Sequence, residues 1–268
     1  MTRKVIISLA PSAGPAPVDP PALAADIIRS SAAGAAICHL HCKTRAGALT
    51  PDISVLSETF DLIRAGCDIV IQASTGGISQ MSIEQRCNPL AYQYVESASL
   101  NGGSTNLGEA VYVNSFDDIR FCADACIKRD IVPEIEVFDI GMLNNIHIIR
   151  QEKTLREPVL FNLVFGHRGG LPATIEALTA FRSFVPADAL WGVTHFGRDN
   201  WTFLAAAIAM GATVVRIGFE DSRWLTEGSE ADNNLQLVEK LALIIRSMGL
   251  ETATADEARE IINARKIK

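Results

Sequence analysis

The stretch Ala35–Cys42, with the sequence AAICHLHC, is an apolar run that ends in two histidines at alternate positions. Successive side chains of a β-strand point to opposite faces, so His39 and His41 share one face and Cys38 and Cys42 the other. Two imidazoles one pleat apart at a strand end can bind one divalent ion, and neutral imidazole suits Zn, Ni, Co or Fe. The alternative interpretation is a structural pair of histidines satisfied by the backbone. A metal site therefore needs a third ligand from elsewhere in the chain.

Strand-like and helix-like segments alternate on both sides of this stretch. We predict strands over 5–10, 35–42, 68–73, 96–100, 131–137, 158–164, 189–194 and 213–218. We predict helices over 21–33, 53–65, 83–90, 115–128, 141–151, 173–184, 199–210 and 231–248, with an appendage helix after Thr254. Eight strand–helix units favour an α/β fold, a (β/α)8 TIM barrel with a short C-terminal helical appendage. A doubly wound sheet would also alternate, but no G-x-G-x-x-G turn follows the first strand. Neither a linker nor a change in composition divides the chain, which predicts a single domain over residues 1–268.

The composition limits the possible partners. The chain has a net charge of -7 and no cluster of lysine and arginine, so we expect no nucleic-acid partner. No run of about 18 apolar residues is present, so we expect no membrane span. The basic start of the chain reaches Pro11 too soon for a signal peptide. The six cysteines form no CxxC pair, and Cys122 and Cys126 have helical spacing. This pattern indicates free buried thiols in a reducing cytoplasm.

The end of the eighth predicted strand, Val215–Asp221, supplies the missing ligand. The mouths of strands two and eight lie close together in a barrel, so Glu220 is a natural third ligand beside the two histidines. Such a site has an open position, at which a metal can polarise a substrate carbonyl. Asp221 can act as a base, and Arg216 on the same strand can orient it. The alternative is a structural ion pair between Arg216 and Asp221.

Several blocks of sequence together carry a family resemblance. They are His39–His41 (HLH), Gln72–Gly77 (QASTGG), Leu100–Gly108 (LNGGSTNLG), Pro133–Met142 (PEIEVFDIGM), Arg216–Asp221 (RIGFED) and Asn234–Val238 (NLQLV). With these blocks the chain resembles the beta-keto acid cleavage enzymes, whose founding activity is 3-keto-5-aminohexanoate cleavage. The resemblance covers essentially the full length of the chain.

The resemblance implies a zinc-dependent acyltransferase that uses acetyl-CoA. It implies one zinc ion per subunit on His39, His41 and Glu220, and it implies that Asp221, oriented by Arg216, removes a proton from the carbon between the carboxylate and the keto group. The carbanion adds to acetyl-CoA, and a retro-Claisen step then releases acetoacetate and a shortened acyl-CoA. The resemblance implies two small-molecule partners, a beta-keto acid and acetyl-CoA. It also implies that the chain assembles as a homotetramer.

The resemblance also assigns substrate contacts. It places Ser74, Gly77, Ser104 and Asn106 at positions that hold the substrate carboxylate. Pro15 stands where the aminohexanoate-cleaving enzymes carry a glutamate, so one acidic contact for a distal ammonium group is absent. Asp139, in place of a glutamate after the fifth strand, is a further substrate-binding residue, which can still supply negative charge but with shorter reach. We therefore expect that a cationic amine tail is not the preferred substrate. Arg168 either contacts an anionic substrate tail or a phosphate of CoA, or it is solvated. His195 lines either the active site or the CoA channel.

Two other functions remain open at this stage. A metal-dependent hydrolase of the amidohydrolase type also begins with His-x-His on a barrel strand, but it needs further histidine ligands on the middle strands. A non-catalytic barrel that binds acyl-CoA or a keto acid would not need the base, the Arg216 side chain and all three ligands together.

Overall fold

The computed structural model describes residues 2–267. Its strands are β1 (Lys4–Leu9), β2 (Ala35–Leu40), β3 (Val70–Ala73), β4 (Ser97–Asn101), β5 (Thr105–Leu107), β6 (Ala110–Tyr112), β7 (Val132–Val137), β8 (Leu160–Phe165), β9 (Leu190–His195), β10 (Val214–Ile217), β11 (Trp224–Thr226), β12 (Ser229–Glu230) and β13 (Glu251–Thr252). Its helices are α1 (Pro20–Ala32), α2 (Ser54–Gly66), α3 (Ile83–Arg86), α4 (Phe116–Arg129), α5 (Ile140–Glu152), α6 (Ile175–Phe184), α7 (Thr202–Ala209), α8 (Asn234–Ser247) and α9 (Ala255–Ile262).

Eight parallel strands close into a barrel in the order β1, β2, β3, β4, β7, β8, β9 and β10. The closure is the pairing of β10 with β1, in which Ile6 lies opposite Val214 and Leu9 opposite Ile217. The helices between the strands bury apolar side chains such as Phe60 of α2 and Phe181 of α6 against the outer face of the barrel. The predicted (β/α)8 TIM barrel is confirmed. Within residues 2–267, no helix is both long enough and apolar enough to cross a membrane.

The structure differs from the predicted elements at several places. Strand β2 ends at Leu40, so His41 is the first residue beyond it. The helix predicted over 83–90 is only α3 followed by a 3-10 turn at Asn88–Ala91, because Pro89 has no N–H and disfavours helical backbone before it. Two antiparallel hairpins, β5–β6 and β11–β12, were not predicted. Their residues are short, largely exposed runs without a regular apolar pattern.

Helix starts follow their capping residues closely. The hydroxyl of Ser115 accepts the N–H of Asp118, and the Asp118 carboxylate accepts the N–H of Ser115. This reciprocal capping box starts α4, close to the start of the helix predicted over 115–128. The same arrangement between Thr254 and Glu257 starts α9, the predicted appendage helix.

The appendage closes the amino-terminal end of the barrel. Strand β13 pairs with β1, and α9 packs Ala258 and Ile262 against Ile6, Ile37 and Val70, which belong to the inner floor of the barrel. Arg259 of α9 reaches under the barrel to Glu96, which is 0% exposed, and to Asp68. Arg64 provides the second guanidinium for Glu96. Apolar side chains therefore fill this end of the barrel, here called the floor, and the buried ion pair between Arg259 and Glu96 holds α9 in place.

We expect Arg259→Ala to lower the free energy of unfolding by about 3 kcal/mol, because it leaves Glu96 buried with one partner instead of two. The measurement is urea denaturation followed by circular dichroism. The matched control is Arg265→Ala, whose side chain is exposed and which should change stability by less than about 0.5 kcal/mol. Equal small effects of the two variants would show that the floor contributes little stability.

Candidate metal and catalytic site

Two imidazoles and one carboxylate meet at the carboxyl-terminal mouth of the barrel. The Nε2 atom of His41 lies 3.2 Å from Oε1 of Glu220, and the Nε2 atom of His39 lies 4.0 Å from the same oxygen. Strand β1 separates β2 from β10, so the mouths of these two strands are only two places apart. The structure therefore brings together the three ligands predicted from sequence, whose ligand atoms all lie within 4.8 Å of one another.

A glycine bend returns the chain toward the site after β10. Gly218 has φ of +139°, and a Cβ atom there would lie 2.1 Å from the carbonyl oxygen of Ala10. The N–H of Glu220 donates to that same carbonyl at 3.1 Å. Only glycine tolerates both the positive φ and the close approach to β1. The bend is what places Glu220 opposite the histidines.

A buried chain of hydrogen bonds fixes the orientation of His39. Its Nδ1 atom lies 2.7 Å from Oε1 of Gln72. The Nε2 atom of Gln72 donates to the Glu134 carboxylate at 3.2 Å, and Glu134 also accepts from Asn162, which in turn accepts from Thr194. Because Gln72 must donate to Glu134, its oxygen faces His39 and accepts the Nδ1–H. The Nε2 lone pair of His39 therefore points toward Glu220.

These residues fit a divalent transition metal ion. Burial lowers the pKa of His39 to about 3, so the imidazole is neutral and able to ligate. Burial opposes the charge of Glu220, but its contacts with the Arg216 guanidinium and with His41 hold its pKa well below the usual value. Oε2 of Glu220 is buried and has no hydrogen-bond partner within residues 2–267. Two imidazoles and a carboxylate with a hydrogen-bonded imidazole N–H behind them are the donor set of an open metal site.

The predicted base lies against a buried guanidinium. Arg216 donates to Asp221 through Nε at 3.1 Å and through Nη2 at 2.7 Å. Its Nη1 donates to Glu136 at 3.2 Å, and its Nη2 also lies 3.2 Å from Oε1 of Glu220. A single guanidinium therefore contacts the predicted base, a candidate metal ligand and a third carboxylate. The two-point contact fixes the orientation of the Asp221 carboxylate.

Burial and charge shift the ionisation of this group of residues. Burial raises the pKa of Asp221, and the contact with Arg216 opposes that shift. Burial raises the pKa of Glu136 to about 7, again against the effect of Arg216. Burial also opposes the charge of Arg216, but Asp221, Glu220 and Glu136 raise its pKa well above its usual value. Arg216 stays charged, and Asp221 is a stronger base than an exposed aspartate.

A cavity of about 310 Å³ opens beside the candidate metal ligands His41 and Glu220. Its lining residues are Ser12, Gly14, Pro15, His41, Lys43, Gly47, Ala48, Leu49 and Glu220. Most of this wall is apolar. Lys43 is buried, and its ammonium group donates to the carbonyl and hydroxyl oxygens of Ser12 and to the carbonyl of Ala13, at 3.1–3.2 Å. The only cationic side chain in the lining is therefore bonded to neutral oxygens.

The residues predicted to hold the substrate carboxylate lie in the loops after β3 and β4. Ser74 is buried and donates its backbone N–H to Leu40, directly before His41. Gly77 has φ of +120°. Ser104 accepts the N–H of Asn114, and Asn106 is exposed beside Gly169. Asp139 is exposed, and its carboxylate caps α5 by accepting the N–H of Met142. Their role in substrate binding remains a prediction.

The loop after β8 is partly aromatic and partly solvated. The ring of His167 stacks on Phe196, with a centroid separation of 3.9 Å, and also faces Phe138. Arg168 is 77% exposed and pairs with Glu109, as a solvated side chain would. His195, at the end of β9, is buried on the outer side of the barrel against Phe203. His195 therefore lies away from the three candidate ligands.

Sequence reasoning missed the residues that support the ligands and the base. These are Gln72, Glu134, Glu136 and Asn162, together with Lys43 at the cavity. A usable signal was present, because Glu134 and Glu136 are polar residues at alternate positions of an otherwise apolar strand. In a barrel strand, alternation of this kind marks the inward face. The identity of each partner depends on strand register, which the sequence does not display.

Comparison with known proteins agrees with this geometry. The family model for beta-keto acid cleavage enzymes matches residues 5–263. The chain belongs to this family. The 3-keto-5-aminohexanoate cleavage enzyme of Fusobacterium nucleatum is 35% identical over 238 residues, which are 87% of this chain and 85% of that protein. The resemblance predicted from the sequence blocks is therefore confirmed, and the chain is an enzyme of this family.

Two further comparisons extend the similarity. The 3,5-dioxohexanoate:acetyl-CoA acetone transferase of Paraburkholderia graminis is 31% identical over 298 residues, covering 97% of this chain and 96% of that protein. The apo structure of ObcA has a TM-score of 0.78 at 18% identity. It matches 92% of this chain, which spans 65% of the ObcA chain. At that identity the likeness to ObcA shows the shared barrel fold alone.

We expect Gln72→Met to weaken the binding of a divalent transition metal by about 10–100-fold, because the acceptor that orients His39 is lost. Calorimetric titration of the metal-free protein with zinc, cobalt and nickel measures the effect. Gln151→Met, on the exposed face of α5, is the matched control and should bind metal like the parent protein. Unchanged metal affinity in Gln72→Met would contradict the ligand assignment.

Proposed function

We propose that this enzyme condenses a beta-keto acid with acetyl-CoA and releases acetoacetate and a shortened acyl-CoA. The observation that carries the proposal is the joint position of Asp221, Arg216 and the three candidate ligands at one barrel mouth. Membership of the family supports the same reaction, and so does the similarity to the 3,5-dioxohexanoate:acetyl-CoA acetone transferase. We propose zinc, one ion per subunit, as the metal held by His39, His41 and Glu220.

Asp221 has the properties that the first step requires. A proton between a keto group and a carboxylate is already acidic, so one moderately basic carboxylate can remove it. Burial raises the pKa of Asp221, and its two-point contact with Arg216 keeps it in one orientation. A divalent ion at the three ligands would supply a Lewis acid for the keto oxygen. Glu136 contacts Arg216 from the opposite side and holds the guanidinium in place.

The remaining steps balance without another reactant. The carbanion attacks the thioester carbonyl carbon of acetyl-CoA and forms a new carbon–carbon bond. The CoA thiolate moves to the original keto carbon, and the old carbon–carbon bond breaks with its electron pair on the acetoacetate carbon. That carbon takes back the proton held by Asp221. The products are acetoacetate and the acyl-CoA of the remaining tail.

The substrate carboxylate and tail have separate candidate contacts. We propose that Ser74, Gly77, Ser104 and Asn106 bind the carboxylate, since short hydroxyls and backbone N–H groups at strand ends can form an anion site. The tail would occupy the cavity lined by Pro15, Leu49 and Lys43, which offers apolar surface and a positive charge. A cationic tail would be repelled there. Asp139 is committed to capping α5, so its negative charge is not directed to this cavity.

The alternatives are less compatible with the site. A hydrolase of the amidohydrolase type needs further histidine ligands on the middle strands, where the inward positions carry Glu134, Glu136 and Asn162. A non-catalytic binding barrel gives no reason for the paired contact between Arg216 and Asp221.

We also propose a cytoplasmic homotetramer. All six cysteines are free, which fits a reducing compartment, while the tetramer rests on the family resemblance.

The test is acetoacetate release from acetyl-CoA and a panel of beta-keto acids by the zinc-loaded protein. We expect release from neutral and anionic tails, and slower release from cationic tails of the same length. Asp221→Asn should lower kcat by about 10²–10⁴-fold, because it removes the base while preserving shape. His39→Ala should lose activity together with the metal.

Asp232→Asn is the matched control, since Asp232 is an exposed aspartate in the loop before α8. It should leave kcat unchanged. Absence of acetoacetate across the whole panel from a zinc-loaded protein would overturn the proposed reaction. Faster turnover of cationic tails would overturn only the assignment of the tail cavity.

A further inference from the structure

Arg86 is a buried arginine that contacts two neighbouring loops at the barrel mouth. It is the last residue of α3 and is 8% exposed. Its Nε donates to the backbone carbonyl of Thr75 at 2.8 Å, in the loop after β3. Its Nη1 donates to the carbonyl of Val113 at 3.1 Å, and its Nη2 donates to the Tyr112 hydroxyl at 3.1 Å and to Oδ1 of Asn114 at 2.5 Å. One guanidinium therefore connects the loop after β3 to the end of the β5–β6 hairpin.

The first of these loops, 74–77, carries two of the candidate contacts for the substrate carboxylate. The carbonyl of Thr75, which accepts from Arg86, belongs to the middle of this loop. A Cβ atom on Gly76 would lie 2.7 Å from the hydroxyl oxygen of Tyr112. That hydroxyl is also bonded to Arg86. The position of the loop therefore depends on Arg86 directly and through Tyr112.

The second loop carries Ser104, a third candidate contact. Asn114 accepts from Arg86 with its side-chain oxygen and donates its backbone N–H to the Ser104 hydroxyl at 2.8 Å. The side-chain amide of Asn114 also donates to the carbonyl of Gly103 at 3.3 Å. Arg86 therefore acts on Ser104 through Asn114.

The hydroxyls of Ser74 and Ser104 both accept backbone hydrogen bonds. Oγ of Ser74 accepts the N–H of Gly76 at 3.2 Å, and Oγ of Ser104 accepts the N–H of Asn114 at 2.8 Å. A hydroxyl that accepts one hydrogen bond still has its own hydrogen to donate. Both hydroxyls can therefore act as donors to a carboxylate, and their orientation depends on backbone that Arg86 fixes.

The positive charge of Arg86 is not neutralised by these contacts. Its four hydrogen-bond partners are carbonyl, hydroxyl and amide oxygens, none of which is a carboxylate. Burial raises the pKa of Tyr112 to about 12, so its hydroxyl is neutral as well. Buried charges in proteins are usually paired, and water and salt screen them much less than exposed charges. An anion bound by the adjacent loops would therefore be stabilised by this guanidinium.

We propose that Arg86 is a positioning residue for the carboxylate of the beta-keto acid, which holds both loops in place and supplies the positive charge behind them. The inference rests on the proposed function for the assignment of these loops to the substrate carboxylate. Four of the five N–H groups of Arg86 are directed to protein oxygens. Arg86 therefore acts through Ser74, Gly77 and Ser104.

The test is calorimetric binding of 3-hydroxybutanoate and of 3-hydroxybutanamide to the zinc-loaded protein without acetyl-CoA. The first ligand carries the carboxylate of a beta-keto acid, and the second replaces it with a neutral amide of similar shape. We expect Arg86→Met to lower the preference for the carboxylate over the amide by about tenfold, because the buried charge is lost. Arg246→Met, on the exposed face of α8, is the matched control and should keep the preference of the parent protein.

A second variant tests the charge without removing Arg86. Asn114→Asp keeps the shape of the side chain and places a carboxylate against Nη2 of Arg86, so it should lower the same preference. In turnover, Arg86→Met should raise KM for the beta-keto acid by about tenfold with little change in kcat, because an interaction shared by the ground state and the transition state is weakened. KM for acetyl-CoA and the affinity for zinc should stay at the parental values.

Two results would overturn the inference: an unchanged preference for the carboxylate in both variants, or an equal loss of affinity for the carboxylate and the amide. The proposed function fails separately. If the preference depends on Arg86 but no beta-keto acid yields acetoacetate, the carboxylate site stands and the reaction is wrong. If acetoacetate forms while Arg86→Met keeps the parental preference and KM, only the role of Arg86 is wrong.

Discussion

The buried guanidinium of Arg216 connects the proposed base to one of the three candidate metal ligands. It contacts Asp221, Glu220 and Glu136, which come from the loop after its own strand and from a strand across the barrel. Three carboxylates around one guanidinium leave an excess of negative charge in a buried volume. The raised pKa of Glu136 relieves part of that excess, and a divalent cation at Glu220 would relieve more. The same contacts that balance charge also fix the distance between the proposed base, Asp221, and the candidate metal ligand Glu220.

The barrel interior is polar for a functional reason. A packed barrel core is usually filled by branched apolar side chains. Here the floor keeps that character, with Ile6, Ile37 and Val70 packed on α9, whereas the upper layers carry Gln72, Glu134 and Asn162. Each of these polar groups is hydrogen-bonded, and the chain of bonds ends on the Nδ1 atom of His39. The apolar packing at the amino-terminal end of the barrel therefore stabilises the fold, whereas the hydrogen bonds at the carboxyl-terminal end orient His39.

The sequence predicted the fold and the ligand set for reasons that are physical. The alternation of strands and helices is a local signal, and His39 and His41 lie on one strand, so their common face follows from the pleat. Glu220 could be paired with them because closure of a barrel makes strands two and eight near neighbours. Capping at Ser115 is equally local, and it starts α4 at the place where the sequence predicts a helix. In contrast, the hairpins β5–β6 and β11–β12 have little pattern of their own, and the partners of Gln72 and Glu136 depend on register across several strands. Those contacts are long-range consequences of the closed barrel.

The measurement that tests the central claim most directly is hydrogen–deuterium exchange at the carbon between the keto and carboxylate groups of a beta-keto acid. It is followed by proton NMR in D₂O with zinc-loaded protein and without acetyl-CoA, so it isolates the first proton transfer. If Asp221 is the base, the protein accelerates exchange above the spontaneous rate, and Asp221→Asn reduces that acceleration by about 10²-fold or more. The His195→Phe variant should exchange at the rate of the parent protein, because His195 lies outside the site of proton transfer. Exchange in Asp221→Asn at the parental rate would contradict the account.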